Sequence, residues 1–310
     1  MDGKQYLYQL RNLLQEGETS SFLDTRTSFD YIYQAACQFV IETRLLTAET
    51  TLTTVAGTAD YDLPVDYLSL YLRNSTNEFV IKYYDGANYT FLTYRDIASM
   101  WIDNPTEGKT IPDNFAIIDG DTPSIVTGTA SAVGALTNGY TILTSSTSTF
   151  IASKVSVGDQ IHNTTDGSDG VVIEVIDATH LKTAMFGGTD NDWTSDDAFI
   201  ITPQSRKQIK FNAYPDTAGH TATLPYIQKP DPVYTAYGSY RFPAVYMPAV
   251  LHYAAWLYKY RDREPNFGDS WYKYWEMFLR KAKANEDTRP DRHKWRVNMK
   301  KRTFFDRSMR

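Results

Sequence analysis

The chain has 310 residues, of which 42% are hydrophobic and 22% are charged, and its formal net charge is −6. This composition is typical of a globular protein and excludes an intrinsically disordered chain of low hydrophobicity. No run approaches the ~20 apolar residues of a membrane-spanning helix, and residues 1–5 lack the pattern of a signal peptide, so we expect a soluble protein, intracellular when made, with no membrane partner. The single cysteine, Cys37, excludes an internal disulfide and a cysteine-rich zinc site, and we expect it to be a buried thiol.

Charge is distributed unevenly along the chain. Residues 280–310 contain twelve Lys or Arg and four Asp or Glu, whereas residues 1–279 contain nineteen basic and thirty-three acidic residues. The sequence therefore combines an acidic body with a basic C-terminal tail.

Two amphipathic helices are predicted at the N-terminal end. Residues 4–16 repeat apolar side chains at three- and four-residue spacings, and Gly17 ends this pattern. A second helix begins near Asp24 or Thr27 and reaches about Leu46, because either side chain can accept the free amide hydrogens of a first turn. We expect the two helices to pack together. Their apolar faces carry Tyr6, Leu7, Leu10, Leu13 and Leu14 in the first helix and Phe29, Ile32, Ala36, Phe39 and Val40 in the second.

An antiparallel β-sheet is predicted next. Two short strands, 51–55 and 61–63, lie on either side of a turn at Gly57. Further strands are expected at 67–72, 79–84 and 89–93, with residues 85–88 as a hairpin connection. A short helix at 94–101 ends before Asn104 and Pro105, and strands resume at 208–211 and 222–228.

Residues 121–202 differ in character from the rest of the body. Residues 122–153 hold no charged side chain, and helical periodicity disappears. Strand-like runs at 140–143 and 170–176 predict a small inserted β domain, since surface loops tolerate insertions. Low-complexity disorder is the competing interpretation. Apolar material for a core is supplied by Val155, Val157, Ile161, Val171, Val172, Ile173, Val175, Ile176 and Leu181.

A helical hairpin is predicted before the basic tail. Pro248 suits the first turn of one helix, and the second helix follows residues 265–268. The apolar faces carry Val250, Ala254, Leu257 and Tyr258 in the first and Trp271, Trp275, Phe278 and Ala282 in the second. The sequence thus predicts an α+β fold: a helical N-terminal pair and a C-terminal helical hairpin packed with an antiparallel β-sheet, plus an inserted small β domain. The body comprises residues 1–120 and 203–285, the inserted domain 121–202, and the basic extended tail 286–310.

The sequence contains no convincing pattern of a catalytic, cofactor or metal site. No glycine-rich phosphate loop or nucleophile elbow is present, and no two histidines stand at a short metal-binding spacing. The histidines are His162, His180, His220, His252 and His293. We therefore expect no catalysis, cofactor or metal, although two carboxylates brought together by folding would escape this reasoning.

One acidic group is the best candidate for a small-ion site. It consists of Asp190, Asp192, Asp196 and Asp197, with Asn191 among them. The spacing does not match that of a calcium-binding loop, and a solvated acidic loop is the alternative interpretation.

The basic tail interleaves cations with aromatic side chains. Its residues include Arg289, Arg292, Lys294, Trp295, Arg296, Lys300, Lys301, Arg302, Phe304, Phe305 and Arg307. This composition favours a protein-docking tail, in which aromatic anchors enter pockets and Arg pairs with carboxylates. A nucleic-acid arm and a solvated tail remain alternatives.

The order of elements resembles the head-to-tail adaptor (connector) proteins of tailed bacteriophages. The resemblance rests on the leucine-rich first helix, on residues 21–24 (Ser-Phe-Leu-Asp), on the segment 53–64 that ends Tyr61-Asp62-Leu63-Pro64, and on residues 242–246 opening an aromatic closing helix. It covers roughly residues 1–100 and 205–285. No part of it is a catalytic signature.

The resemblance implies a structural protein of the virion, located at the interface of head and tail and assembled in the host cytoplasm. It implies a homo-oligomeric ring, commonly a dodecamer, that extends the DNA channel between the portal and a downstream tail or nozzle protein, with DNA passing through the lumen without specific binding. The implied portal contacts are Trp295, Arg296, Phe304 and Phe305, with Lys300, Lys301 and Arg302 meeting acidic groups of the portal. The inserted domain departs from shorter members of the family and is a candidate for holding tail fibres.

A different virion module is the alternative function. In it, the inserted β domain binds carbohydrate or attaches fibres through exposed aromatic side chains, for which Trp193, Tyr140 and Phe186 are the candidates.

Overall fold

A computed structural model describes residues 1–17, 23–71, 80–103, 111–121, 123–261 and 265–287. The chain forms two structural units. One joins Met1–Gln5 to Leu46–Arg241 and contains every described strand. The other joins Tyr6–Leu45 to the chain from Phe242 onward, and its described regular elements, up to residue 287, are helices. The fold class is α+β, as predicted. None of the described helices is both long enough and apolar enough to cross a membrane.

The N-terminal helices are α1 (Gly3–Leu14) and α2 (Thr25–Thr43). The apolar stripe of α1 buries Tyr6, Leu10 and Leu14, while Leu7 and Leu13 stay partly exposed. Asp24 caps α2, because its Oδ1 accepts a hydrogen bond from the Thr27 amide at 2.6 Å. All five residues predicted for the apolar face of α2 are buried, so both helices are confirmed as elements.

Helix packing in the helical unit centres on α2 and two later helices. The helices α4 (Met247–Arg261) and α5 (Pro265–Asp287) lie against each other, and α2 lies against both. Tyr253 stacks on Trp275 and Trp256 on Tyr272, so numbers rise along α4 as they fall along α5 and the two helices run antiparallel. Between α1 and α2 the Nη2 of Arg11 donates to Oγ1 of Thr25 at 3.3 Å.

Several predicted helix limits need correction. Helix α5 begins at Pro265, within the segment expected to precede it, since proline suits a first helical turn. It also runs to Asp287, past the predicted end of the body at residue 285. The short helix α3 spans Ile97–Asp103, because Tyr94 is still part of a strand. Asn104 and Pro105, proposed to end it, lie outside the described residues.

The first sheet has eight strands, which confirm most of the predicted segments. They are β1 (Thr47–Thr53), β2 (Asp60–Asp62), β3 (Tyr67–Leu70), β4 (Val80–Tyr84), β5 (Tyr89–Tyr94), β6 (Asn114–Asp119), β13 (Lys207–Phe211) and β14 (Thr221–Gln228). Asp85 closes the predicted β4–β5 hairpin, since its Oδ1 accepts from the amides of Ala87 and Asn88. The sheet is not purely antiparallel, because β5 and β6 pair in parallel at Thr93 and Asn114.

The first sheet must curl. Its strand order is β1-β14-β4-β5-β6-β13-β2, with β3 also paired to β14, so β1 and β2 lie at opposite ends of the path. Six steps of ~4.8 Å would separate these strands by about 29 Å in a flat sheet. The link from Thr53 to Asp60 can span only about 25 Å when fully extended. The core enclosed by this sheet includes Ile81, Tyr83, Leu92, Phe115 and Phe211.

A second sheet lies wholly within residues 126–202. Its strands are β7 (Val126–Thr129), β8 (Thr141–Thr144), β9 (Gln160–Asn163), β10 (Ser168–Val175), β11 (His180–Phe186) and β12 (Ala198–Thr202), in the order β7-β12-β9-β10-β11-β8 and antiparallel throughout. Just beyond β7, the amide of Ser131 donates to the carbonyl of Thr144 at the end of β8, which draws the two edges together.

The second sheet has its own apolar core. Of the predicted core residues, Val155, Ile161 and Leu181 are buried in it with Trp193 and Phe199. Val171 and Val172 are buried as well, whereas Val157, Ile173 and Val175 are partly exposed and Ile176 is exposed. Residues 123–202 are thus ordered strands and turns, and disorder is the wrong interpretation for them.

Candidate interaction surfaces

The segment between β1 and β2 is organised around one hydroxyl group. The Tyr61 hydroxyl accepts from the Val55 amide at 3.1 Å and donates toward the carbonyls of Val55 and Thr58, at 3.2 and 2.7 Å. Gly57 sits inside this turn with a φ of +73°, a backbone conformation that glycine adopts without strain. Burial raises the pKa of Tyr61, so the hydroxyl stays protonated and available to donate. The tyrosine of the Tyr-x-Leu-Pro sequence therefore stabilises the turn between β1 and β2 of the first sheet.

Asp62, in the same sequence, connects the two sheets. Its Oδ1 accepts from Nε2 of Gln208 at 2.7 Å, and its Oδ2 accepts from Nζ of Lys154 at 2.9 Å. The hydrogen bond from Gln208 is the largest cause that lowers the pKa of Asp62, and Lys154 adds to it. Sequence reasoning missed this pair, because 92 residues separate its members and neither stands in a recognisable pattern.

The connection between the sheets is fixed by further hydrogen bonds. Nη2 of Arg206 donates to the carbonyl of Lys154 at 2.6 Å, and the amide of Gln204 donates to Oδ1 of Asp159 at 3.0 Å. The amide of Gly120 donates to the carbonyl of Arg206 at 2.8 Å. A Cβ at Gly120 would lie 2.7 Å from that carbonyl oxygen, so this close pairing of the two linkers requires glycine.

The α4–α5 hairpin carries aromatic rings on two separate flanks. On one flank, His252 contacts Trp271, Tyr274 and Phe278 at centroid distances of 5.5, 5.5 and 5.3 Å. On the other flank, Tyr253 and Trp256 contact Trp275 and Tyr272. Burial lowers the pKa of His252, which favours the neutral imidazole.

Helix α5 also presents an exposed face, on which Tyr274 contacts α4 through the ring of His252. Trp275, Leu279 and Ala282 are buried, whereas Lys273, Tyr274, Met277, Arg280 and Lys281 are exposed. At about 100° per residue, these five side chains form one stripe on the side of the helix away from the buried one. We call this set the α5 stripe.

The predicted acidic ion site is divided by the structure. Asp197 is buried and takes up hydrogen bonds from the amide and hydroxyl of Thr194 and from Nδ2 of Asn163. Asp190 and Asp196 are exposed. Burial raises the pKa of Asp192, and the carboxylates of Asp190 and Asp197 raise it further. Among the described residues, no three His, Cys, Asp or Glu are placed to hold a metal ion.

Each described histidine has its own local partner. His162 meets Asp169 and His180 meets Asp177, both at 2.9 Å, while Nδ1 of His220 lies 2.9 Å from the Tyr83 hydroxyl. His293 lies outside the described residues. The thiol of Cys37 is partly exposed, so the expectation of a buried one is wrong; it lies on α2 beside the buried Ala36.

The three aromatic side chains expected to be exposed for carbohydrate binding are buried or partly buried. Trp193 is completely buried in the second sheet, where its Nε1 donates to Oγ1 of Thr183 at 3.0 Å. Tyr140 is partly buried with Nζ of Lys182 4.7 Å from its ring centre, and Phe186 packs at 6.4 Å from Tyr234. The prediction that Trp193 is exposed is therefore wrong.

The predicted portal-binding residues lie outside the described residues, which end at 287. They are Trp295, Arg296, Lys300, Lys301, Arg302, Phe304 and Phe305.

The first part of the chain matches a known protein family. Residues 1–150 match the model of a family described as the SU10 adaptor protein. The match includes α1, α2, the Tyr61 turn and β1–β8, and it supports a phage head-tail adaptor family, which confirms the resemblance. A phage adaptor family is structural. No curated protein matches the chain.

Proposed function

We propose that this chain, whose first 150 residues match a phage adaptor family, forms a homo-oligomeric ring between the capsid portal and the tail. The ring, a dodecamer, extends the channel for DNA from the portal to a downstream tail or nozzle protein. The family match is the single observation that carries this proposal. The absence of a metal-holding group among the described residues agrees with a structural role but does not itself argue for it.

The body of the adaptor is proposed to consist of residues 1–120 and 203–287. Its first sheet and the helical unit are built from segments on both sides of the second sheet, as expected when a domain is inserted into a surface loop. Residues 121–202 then form the inserted domain, which lies between β6 and β13, two neighbouring strands of the first sheet. We propose that it holds tail fibres or another tail component.

Passage of DNA without specific binding is supported by charge. Residues 1–279 carry thirty-three acidic and nineteen basic residues. Like charge on a channel wall repels phosphates and keeps the duplex free to slide.

The tail, residues 288–310, is proposed to bind the portal. It combines nine Lys or Arg and two Asp with Trp295, Phe304 and Phe305. Aromatic side chains supply most of the binding energy in many interfaces, and Arg and Lys can pair with carboxylates at the rim. Trp295, Arg296, Phe304 and Phe305 are the proposed anchors, and Lys300, Lys301 and Arg302 the proposed partners of acidic groups.

The tail is tested by co-sedimentation of full-length and shortened protein with purified portal rings. Removal of 288–310 should abolish co-sedimentation while the circular dichroism spectrum keeps its helical and strand content, because the cut follows the last residue of α5. Two double variants distinguish the aromatic anchors from the charged residues at the rim. The first is Trp295→Ser with Phe304→Ser, and the second is Lys300→Gln with Lys301→Gln. The first pair should weaken binding far more. Equal binding by the shortened and full-length proteins would contradict the proposed role of the tail.

A further inference from the structure

We infer that the α5 stripe binds the acidic second sheet of a second copy of this chain, and so forms one side of the contact between neighbouring subunits. This inference rests on the proposed ring and identifies which surfaces make it.

The stripe has the composition of an interface. Tyr274 is 50% exposed and Met277 is 41% exposed, so two large apolar side chains lie side by side in water. Lys273, Arg280 and Lys281 surround them, and Tyr, Met and Arg are the residue types enriched at protein interfaces.

Other side chains of α5 neutralise little of the positive charge on the α5 stripe. Arg280 lies 3.7 Å from Glu276, while Nζ of Lys281 lies 5.4 Å from the ring centre of Phe278. Neither Lys273 nor Lys281 has an ion-pair partner among the described residues. The stripe therefore offers two ammonium groups beside an apolar centre.

The second sheet has the complementary charge. Residues 121–202 contain ten Asp or Glu and two Lys, and one of these, Lys154, pairs with Asp62 in the first sheet. The other, Lys182, pairs with Glu174. The exposed carboxylates of Asp190 and Asp196 lie in the 190–197 loop without an ion-pair partner among the described residues. Burial raises the pKa of Asp166 and Asp192, and the nearby carboxylates of Asp190 and Asp197 raise it further, as expected where like charges lie close together.

Head-to-tail contact accounts for both surfaces at once. A ring needs two unlike patches on each subunit, one meeting the other on the neighbouring copy. A cationic, partly apolar helix face and an anionic sheet of the same chain are unlike and complementary, and such complementarity gives specificity and register.

The test measures assembly of the full-length protein by mass photometry and sedimentation velocity. Lys273→Glu with Lys281→Glu should lower the association constant by about tenfold or more, because like charges then face each other. The control is Lys259→Glu with Tyr260→Ser, which reverses one lysine charge and removes one aromatic side chain on α4, where Tyr260 is 68% exposed. Circular dichroism and the melting temperature establish that each variant is folded.

A compensating variant tests the second sheet as the receiving surface. Asp190→Lys with Asp196→Lys should fail to assemble alone, yet co-assemble with the Lys273→Glu, Lys281→Glu protein. Assembly of the stripe variant as tightly as the native chain would overturn the inference, as would equal loss in the α4 control. Failure of compensation would overturn the assignment to the second sheet. Native protein that stays monomeric would instead contradict the proposed ring. Loss of duplex DNA binding without loss of assembly would show that the stripe contacts phosphate and would also overturn the inference.

Discussion

Nζ of Lys154 donates a hydrogen bond to Oδ2 of Asp62 at 2.9 Å, and this pair ties the second sheet to strand β2 of the first. Asp62 is the second residue of the Tyr61-Asp62-Leu63-Pro64 sequence. The Tyr61 hydroxyl of the same sequence stabilises the turn before β2 by its hydrogen bond to the carbonyl of Thr58. The short strand β2 is therefore the last strand in the path of the first sheet and also contacts the second sheet.

Replacement of Asp62 by Asn should loosen the second sheet and cost up to about 1 kcal/mol, the usual range for a partly exposed ion pair. The control Asp60→Asn removes a similar pair to Lys210 on the same strand without touching the second sheet. Hydrogen exchange at residues 150–156 should rise in the first variant and not in the second. Equal exchange in both would show that Asp62 does not hold the sheet.

The same pair predicts a pH dependence. Because the pKa of Asp62 is lowered by folding, its carboxylate stabilises the folded state above the unfolded pKa of about 4 and loses that effect as the pH falls through the lower folded value. In urea unfolding, the native protein should therefore have a higher free energy of unfolding than Asp62→Asn at pH 7, and this difference should become smaller as the pH falls below 4. A difference that becomes larger would contradict this account.

Trp193→Ala should destabilise the second sheet by about 3–5 kcal/mol, because a fully buried ring is replaced by a cavity. Trp193→Phe should cost less, since it keeps an aromatic ring and loses the hydrogen bond to Thr183, worth about 1 kcal/mol. Urea unfolding followed by circular dichroism measures both. An unchanged stability together with lost binding on a glycan array would instead favour a carbohydrate site.

Tyr61→Phe should reduce the free energy of unfolding by about 1–2 kcal/mol, because the turn loses its hydroxyl bonds to Val55 and Thr58. Tyr89→Phe is the control, since Tyr89 is 60% exposed and keeps its ring contact with Tyr84 in the variant. The two variants should differ clearly in urea unfolding. Equal stability would mean that the Tyr61 hydroxyl does not fasten the turn.

His252 should make the protein less stable as the pH falls from 7 toward 5. Burial lowers its folded pKa, so the unfolded chain takes up the proton first and stability is lost as the pH falls below the unfolded pKa of about 6.5. In chemical unfolding, His252→Leu should reduce the change in the free energy of unfolding between pH 7 and pH 5. His162→Gln is the control at a partly exposed site on β9. A pH dependence unchanged by His252→Leu would contradict the role of burial.

Local elements could be predicted from the sequence with good accuracy. Periodic apolar residues and a capping Asp24 predicted α2 and its start, although the helix ends at Thr43 and not at about Leu46, and the Asp85 turn predicted the β4–β5 hairpin. These features depend on neighbours within a few residues, so a linear sequence reveals them. The strand order could not be predicted, since β1 pairs with β14 across more than 150 residues and the parallel β5–β6 pair leaves no periodic mark.

The burial of single residues could be predicted from the sequence less well than the helices and strands. Trp193 stands among acidic and polar residues that indicate an exposed loop, yet its carbonyl accepts from the Gly134 amide at 2.7 Å and its ring fills the core. A Cβ at Gly134 would lie 2.0 Å from the carbonyl oxygen of Ile142, so this close approach requires glycine. Only the tertiary fold brings these residues together.

Electron microscopy of the purified protein, alone and mixed with portal rings, tests the proposed adaptor most directly. The account predicts closed rings that stack coaxially on the portal, and their loss from the portal when residues 288–310 are removed. Single subunits that neither close into rings nor attach to portals would contradict it.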